Sequence, residues 1–129
     1  LRALVVGTSN KTELMLGYFT KYGDGGVDLE PLGDLYKTQV RQLAKYLGVP
    51  EPIIKMRPSA GLWPGQTDEG ELGINYDELD RILYHMFDKK FSTKRLLTLG
   101  FSMGNIEKVK NFVKNSEHKR RLPPVARIR

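Results

Sequence analysis

Cysteine is absent from this chain, which removes disulfide scaffolds, thiol nucleophiles and zinc–cysteine sites from consideration. Long apolar runs are absent as well. The longest clean one is Ala3 to Val6, far short of the roughly 18 residues that a membrane-spanning helix needs, so no membrane partner is expected. No secretory signal pattern opens the chain, and a cytoplasmic location is the expectation. Histidine occurs twice and tryptophan once. The sequence has no cluster with metal-ligand spacing, no nucleophile elbow and no Walker-type phosphate loop. Internal repeats and low-complexity segments are missing too.

What is present suits one domain or a piece of one: 129 residues, 40% of them hydrophobic and 28% charged, enough for a core and a soluble surface. The net charge of +6 is unevenly placed. From His118 to the end there are five cations (Lys119, Arg120, Arg121, Arg127, Arg129) and no acid, which leaves a body of sixteen basic against fifteen acidic residues. A basic tail of this kind suits nucleic acid, a membrane surface or a phosphorylated small molecule. Composition does not choose among them.

One strand is expected, Ala3-Leu4-Val5-Val6, a short continuous apolar run bounded by Gly7 and suited to burial on both faces of a parallel sheet. Helical periodicity then takes over. A short helix from about Asn10 to Tyr18 follows the strand. Tyr36, Val40, Leu43, Ala44 and Leu47 share one face of a second helix, capped by Asp34 and stopping near Gly48. Tyr76, Leu79, Ile82, Leu83 and Met86 mark another, Thr93 to Leu99 a shorter one, and Met103, Ile106, Val109, Phe112 and Val113 the last. Pro52-Ile53-Ile54 is too short to count as a second strand. One strand cannot make a sheet, and the chain begins at Leu1 without a methionine. The expectation is therefore that other strands precede residue 1; an autonomous all-helical domain is the alternative. Phe19 to Pro31 and Arg57 to Asn75 lack periodicity and are rich in glycine. Loops this long tend to bind ligands or to be disordered, and the second, with Trp63, is a candidate lid.

Gly7-Thr8-Ser9-Asn10 lies where strand passes into helix, the place where ligands gather in open α/β sheets and where free N–H groups can meet phosphate. Glu13, one turn further, could join that site and ligate magnesium, which favours a carboxylate plus phosphate oxygens. Asn10-Lys11-Thr12-Glu13 also matches a capping box, so Glu13 has two readings. The Gly23-Asp24-Gly25-Gly26 run, flanked by Lys21 and Asp28, would let backbone approach a polar ligand or simply make a turn. Lys37 sits in the first turn of its helix, where the macrodipole disfavours a cation; a phosphate partner would offset that, and so would solvent. Ser116-Glu117-His118-Lys119-Arg120-Arg121 holds cations as a ligand site would, and as any helix C-terminus does.

In order, these segments resemble the ammonia-dependent NAD synthetase family. The matching stretches are Val6-Gly7-Thr8-Ser9-Asn10-Lys11-Thr12-Glu13, then Gly17-Tyr18-Phe19-Thr20-Lys21-Tyr22-Gly23-Asp24-Gly25-Gly26-Val27-Asp28, then Pro31-Leu32 with Leu35-Tyr36-Lys37. They resume at Pro58-Ser59-Ala60-Gly61-Leu62-Trp63 and Asp68-Glu69-Gly70-Glu71-Leu72-Gly73-Ile74-Asn75-Tyr76-Asp77, and close at Ser116-Glu117-His118-Lys119-Arg120-Arg121. The likeness covers essentially the whole chain, weakest between Phe87 and Phe112. The wording from Ala60 to Thr67 is similar to archaeal-type members.

The resemblance implies a Rossmann-like adenine-nucleotide α-hydrolase fold of the α/β class. Residues 1–129 would be its mostly helical C-terminal part, with one core strand. It implies ATP-dependent amidation of deamido-NAD to NAD with ammonia through an acyl-adenylate, AMP and pyrophosphate being released. By position Thr8, Lys37 and Ser59 match the family's ATP contacts, and Glu13 its magnesium ligand. Lys21, Asp28, His118 and Lys119 match its deamido-NAD contacts. A cytoplasmic homodimer with no nucleic-acid partner is implied. Ser59 replaces a threonine common in bacterial members and keeps the hydroxyl. The family's Ser-Gly-Gly-x-Asp-Ser pyrophosphate loop and its second magnesium ligand are absent and are expected before residue 1. Without that loop the 129 residues alone are not expected to synthesise NAD. An amidotransferase domain is absent too, which favours free ammonia as nitrogen donor. The alternative is a non-catalytic nucleotide or nucleic-acid binding module that uses the basic tail.

Overall fold

Short polar side chains decide where most of the helices start. The computed structural model describes residues 2–128, so Leu1, the first residue of the expected domain, and Arg129, the last cation of the tail, lie outside the described residues. In chain order the α-helices are α1 (Lys11–Leu16), α2 (Lys37–Tyr46), α3 (Glu51–Ile54), α4 (Asp68–Leu72), α5 (Tyr76–Leu83), α6 (Thr93–Thr98) and α7 (Met103–Asn115). Asn10, Thr67, Asn75, Ser92 and Ser102 each accept a hydrogen bond from the N–H of the third residue of the helix they precede. Each such cap satisfies one of the N–H groups that a helix start leaves free. Gly17 ends α1 in the left-handed conformation, with φ at 70°. A side chain there would be strained, and its Cβ would also collide with Ser116.

The core is a helix cluster built around α5. Leu79, Ile82, Leu83, Leu96, Ile106 and Val109 are fully buried, with Tyr76 among them. α5 packs on α2 and α7, α1 packs on α2 and α7, and α6 on α7. The periodicity argument thus places its apolar stripes correctly for α5 and α7. Replacing a fully buried leucine such as Leu79 by alanine in a core of this kind costs about 2–5 kcal/mol. After Leu83 the helix widens into one π-type turn, Tyr84–Asp88, which brings Asp88 within 3.1 Å of the Lys11 ammonium and the Tyr36 hydroxyl. A single 3₁₀ turn, Glu117–Arg120, follows α7.

Several expectations are corrected. No strand forms among the described residues: Ala3–Val6 is reduced to a single parallel bridge between Val6 and Leu29. It is not core, because Leu4, Val5 and Val6 are 72%, 54% and 56% exposed. The physical reason is the missing neighbour. Asp28 and Leu29 lend their N–H groups to the Val5 carbonyl and Leu29 accepts from Gly7, but the chain turns at Pro31 before a ladder can extend. Asp34 does not cap α2. It lies two residues before the N-cap Tyr36 and points instead towards Lys11, 3.4 Å away. Pro52-Ile53-Ile54 lies in α3, with proline in the first turn, where a helix tolerates it. Of the expected apolar face of α2 only the N-cap Tyr36 is buried, and no residue within the helix itself. The Arg57–Asn75 segment is not all loop, since it contains α4 and sends Leu72 and Ile74 into the core.

Candidate active site

The start of α1 carries the first part of the site. The Asn10 side chain accepts the Glu13 N–H at 3.1 Å, and the Asn10 N–H donates to Glu13 Oε2 at 3.1 Å. The capping box is therefore real. It leaves Glu13 Oε1 free to face across the cleft, where it meets Lys37 Nζ at 2.9 Å. The cap uses one carboxylate oxygen, and the other is engaged by the Lys37 ammonium. The helix start itself offers less to a phosphate than strand-to-helix logic implies. Lys11 N–H is bound to the Leu35 carbonyl and Glu13 N–H to Asn10, so anion recognition falls to side chains.

Lys37 is held by a buried polar knot. Thr12, with no exposed surface, donates its hydroxyl to Asp80 Oδ1 at 2.6 Å and accepts the Lys37 N–H at 2.9 Å. Asp80 Oδ2 accepts the Thr38 N–H at 2.8 Å. α2 thus receives its caps from two other helices, and the Asp80 charge sits at the positive end of its dipole. Burial pushes the Asp80 carboxyl above its ordinary range despite these donors. The arrangement fixes the first turn of α2, and with it the root of the Lys37 side chain.

Thr8, Glu13, Lys37 and Ser59 line one open cleft of about 560 Å³, together with Arg41 and Asp68. Its far wall is apolar, contributed by α2 and α3. The Lys37 ammonium and the Arg41 guanidinium both lie over the ring of Tyr76, 5.5 and 5.7 Å from its centroid. The cations Lys37 and Arg41 and the hydroxyls of Thr8 and Ser59 around one space can hold a polyphosphate. Glu13 also fits magnesium. Each of its oxygens makes one hydrogen bond and keeps a lone pair. No group of three ligating side chains exists among the described residues, as expected of an ion that takes one or two carboxylates and completes its shell with phosphate and water.

The other predicted contacts gather elsewhere. Lys21 Nζ donates to the His118 carbonyl at 2.6 Å. Lys119 Nζ donates to the Gly17 and Phe19 carbonyls, both at 2.7 Å, and lies 5.3 Å from the Phe19 ring centroid. The His118 ring nitrogen Nδ1 is 3.0 Å from the Asn115 carbonyl. Three of the four residues therefore form one edge beside the cleft, whose lining includes Tyr18 and Phe19. Asp28 is bound apart from them, accepting the Val5 N–H at 2.8 Å. The glycine run between them is a turn, with Gly25 packed where a Cβ would strike the Phe19 ring and the Lys21 carbonyl. Part of the basic tail is tied to the fold, with Arg120 donating to the Met15 and Val113 carbonyls, while Arg121 pairs with Glu117 at the surface.

Sequence reasoning passed over Arg41, Tyr18, Asp68, Glu71 and the Thr12–Asp80 knot. Asp80 had a visible signal. Positions 76, 79, 80 and 83 make an i, i+3, i+4, i+7 stripe, so Asp80 is an acid on an apolar face. Along the candidate lid, the Leu62 N–H donates to Gln66 Oε1 (2.7 Å), Gln66 Nε2 to Glu71 Oε1 (2.7 Å), and the Tyr18 hydroxyl to Glu71 Oε2 (2.6 Å). Its tip is open, with Leu62 75% and Trp63 53% exposed.

A model of the NAD synthase family matches residues 1–123. An NH(3)-dependent NAD(+) synthetase of Archaeoglobus fulgidus is 56% identical over 131 aligned positions, covering all of this chain and 49% of that protein. One from Methanosarcina acetivorans is 51% identical, covering 99% of this chain and 50% of its own length. Among solved structures, an NMN synthetase from Francisella tularensis superposes with a TM-score of 0.79 at 41% identity, over 97% of this chain and 47% of that one. The chain spans about half the length of the curated relatives it matches.

Proposed function

Because the chain belongs to the NAD synthase family, we propose that its cleft is one side of the active site for ATP-dependent amidation of deamido-NAD to NAD with ammonia. The observation that carries this reading is the meeting of Thr8, Glu13, Lys37 and Ser59 around a single cleft, although Thr8 and Ser59 lie 51 positions apart in sequence. In this reading the substrate carboxylate attacks the α-phosphate of ATP, pyrophosphate departs, and ammonia then displaces AMP from the acyl-adenylate. Lys37 and Arg41 offset charge on the phosphates. Thr8 and Ser59 donate hydroxyls to them. Preorganised donors of this kind act where charge develops in the transition state. Glu13 would hold magnesium, which supplies further neutralisation of the polyphosphate when bound.

Lys21, His118 and Lys119 are assigned to deamido-NAD, as is Asp28 from the far side of the glycine turn. The whole enzyme is proposed to have the Rossmann-like fold of this family, to be cytoplasmic and to work as a homodimer. The bonding of Lys119 and Arg120 to backbone carbonyls favours this reading over a nucleic-acid module, which needs its cations free for phosphate and would show a steep salt dependence.

The test is NAD formation from deamido-NAD, ATP, magnesium and ammonium by residues 1–129 supplied with the remaining length of the Archaeoglobus fulgidus relative. Nicotinate mononucleotide runs beside it as a second acceptor, since the Francisella tularensis structure is of an NMN synthetase. Turnover that needs all four components supports the assignment. ATP-independent binding with no amide product from either acceptor would remove it.

A further inference from the structure

Lys37 stands in the first turn of α2, the end of the helix dipole that disfavours a cation, yet it faces the cleft with its side chain only 21% exposed. Something holds it there. The N–H groups of residues 36 to 38 are each taken by a side chain: that of Tyr36 by Gln39 Oε1 at 2.9 Å, that of Lys37 by Thr12 Oγ1 and that of Thr38 by Asp80 Oδ2. Gln39 is local. Thr12 and Asp80 come from α1 and α5 and are buried, at 0% and 4% exposure. Among the described residues no lysine or arginine pairs with Asp80, so its carboxylate is committed to Thr12 and to the start of α2.

Hydrogen-bond valence sets the direction of this knot. A threonine hydroxyl has one proton to give and lone pairs to receive. The proton goes to Asp80 Oδ1 at 2.6 Å, which leaves a lone pair for the Lys37 N–H. Asp80 in turn uses both oxygens as acceptors, one for Thr12 and one for Thr38. The residues so joined are neighbours of the site. Thr12 precedes Glu13 in α1, and Lys37 is itself the donor, so one hydroxyl ties together the two helices whose side chains meet at 2.9 Å. α5 also reaches the far end of Lys37. Tyr76, one turn before Asp80 and fully buried, places its ring 5.5 Å from the ammonium, and its hydroxyl is anchored on Asp68. Root and tip of the lysine thus rest on the same helix. A cap alone needs none of this: a serine at the N-cap would satisfy an N–H of this turn locally, without burying a charge.

We propose that Asp80, acting through Thr12, is a positioning residue that sets Lys37 at the phosphate side of the cleft. This rests on the reading above in which Lys37 serves ATP. Neither Asp80 nor Thr12 lines the cleft, so their effect on a bound nucleotide passes through Lys37. A flexible lysine loses much freedom when it binds a phosphate, and one held beforehand at root and tip loses less. Placement matters steeply, since a displacement of about 1 Å at a reacting centre can cost on the order of a hundredfold in rate. The donor pattern also says how the knot fails. Asp80→Asn offers one acceptor atom where two are used. Its amide nitrogen then meets either the Thr38 N–H, donor to donor, or the Thr12 oxygen, whose proton loses its acceptor. Thr12→Val keeps the shape and removes the hydroxyl; Thr12→Ser keeps the hydroxyl.

Two measurements on the complete enzyme test it. The first needs no turnover: acetylation of Lys37 by acetic anhydride without ligands, read by peptide mass spectrometry against Lys45, an exposed lysine in the last turn of the same helix. Asp80→Asn and Thr12→Val are each expected to speed labelling of Lys37 relative to Lys45 several-fold, and Thr12→Ser to leave the ratio as it was. An unchanged ratio in the two disruptive variants overturns the proposal. So does loss of helix by circular dichroism in both, which would assign the knot to folding; where one keeps its helices, that one decides. The second measurement is deamido-NAD-dependent exchange of pyrophosphate into ATP. Asp80→Asn is expected to lower it at least about tenfold while the apparent KM for deamido-NAD stays unchanged. In a Lys37→Met background the same change should cost less than about twofold, because residues that act through one another are not additive. An equal loss in both backgrounds would give Asp80 another route to the site and overturn the proposal. Missing exchange in the unaltered enzyme would fault the proposed reaction, and the labelling ratio would still decide whether Asp80 and Thr12 hold Lys37.

Discussion

Glu13 divides its contacts between two atoms, Oε2 closing the capping box and Oε1 facing Lys37, and the chemical role proposed for it would fall to the second. Glutamine keeps an acceptor for Asn10 and loses the charge. Glu13→Gln should therefore leave the Tm nearly unchanged, whereas Glu13→Ala should lose roughly 1 kcal/mol or so of cap energy. Adenylation by the complete enzyme should fall at least about tenfold in both, measured as pyrophosphate exchange. A normal exchange rate in Glu13→Gln would reduce the residue to a cap. Asp80 makes a prediction in pH. Burial raises its folded pKa above the ordinary aspartate value, so the folded state binds the proton more tightly than the unfolded one. Its contribution to stability is then fully present below the unfolded value and is lost as pH rises through the folded value. The difference in unfolding free energy between the unaltered chain and Asp80→Asn should fall with rising pH across that window and then level. A flat or rising difference would mean that the Thr12 and Thr38 donors outweigh burial. Such residues were unequally legible. Glu13 and Lys37 stood at positions where helix electrostatics made them conspicuous, and the resemblance supplied Thr8 and Ser59. Asp68 and Tyr18 gave no sign, because the bonds they make to Tyr76 and Glu71 exist only after folding.

Helices announced themselves where their apolar faces met a core. The stripes of α5 and α7 and the cap at Asn10 needed only local spacing. The start of α2 did not yield to local reading, since its caps come from Thr12 and Asp80 on other helices rather than from Asp34. The candidate lid segment reads as uniformly irregular, and the structure corrects that. Its second half is pinned by α4 and by Leu72 and Ile74, while its first half hangs on the Leu62–Gln66–Glu71–Tyr18 chain. Hydrogen exchange should divide accordingly. In the complete enzyme, amides of residues 58–66 should exchange fast without ligands and become protected with ATP and deamido-NAD together, while Leu72 stays protected throughout. Equal protection of the first half with and without ligands would end its claim to be a lid. Lys119 belongs to this scale as well, since it clasps the Gly17 and Phe19 carbonyls. Lys119→Ala should raise the apparent KM for deamido-NAD several-fold and speed exchange around residues 17–20, leaving the KM for ATP largely alone. An unchanged deamido-NAD KM would return Lys119 to the role of a clamp at the end of α1.

At the scale of the whole molecule, the sequence and the fold disagree about where the apolar surface goes. Ala3–Val6 reads as the most buried segment of the chain and is among its most exposed. Leu4, Val5, Val6 and Leu29 are each more than half exposed, as are Leu47 and Ile53. The periodicity was sound; the missing element is anything among the described residues for the strand to pair with beyond one bridge. A strand segment with unsatisfied edges and apolar side chains tends to find another copy. The chain by itself is therefore expected to associate in a concentration-dependent way. Leu4 and Val6 lie on one face of the segment, two residues apart, so Leu4→Lys with Val6→Lys places two like charges on the contact. Because both side chains are already more than half in water, the double change should cost folding little while shifting sedimentation equilibrium towards monomer. Val40→Lys, on the half-buried face of α2, is the contrasting variant, expected to lower the Tm. Self-association that survives the paired lysines would place the sticky surface elsewhere, on the α2–α3 wall of the cleft. A chain that is monomeric at every concentration would mean that this apolar face is tolerated in water as it stands.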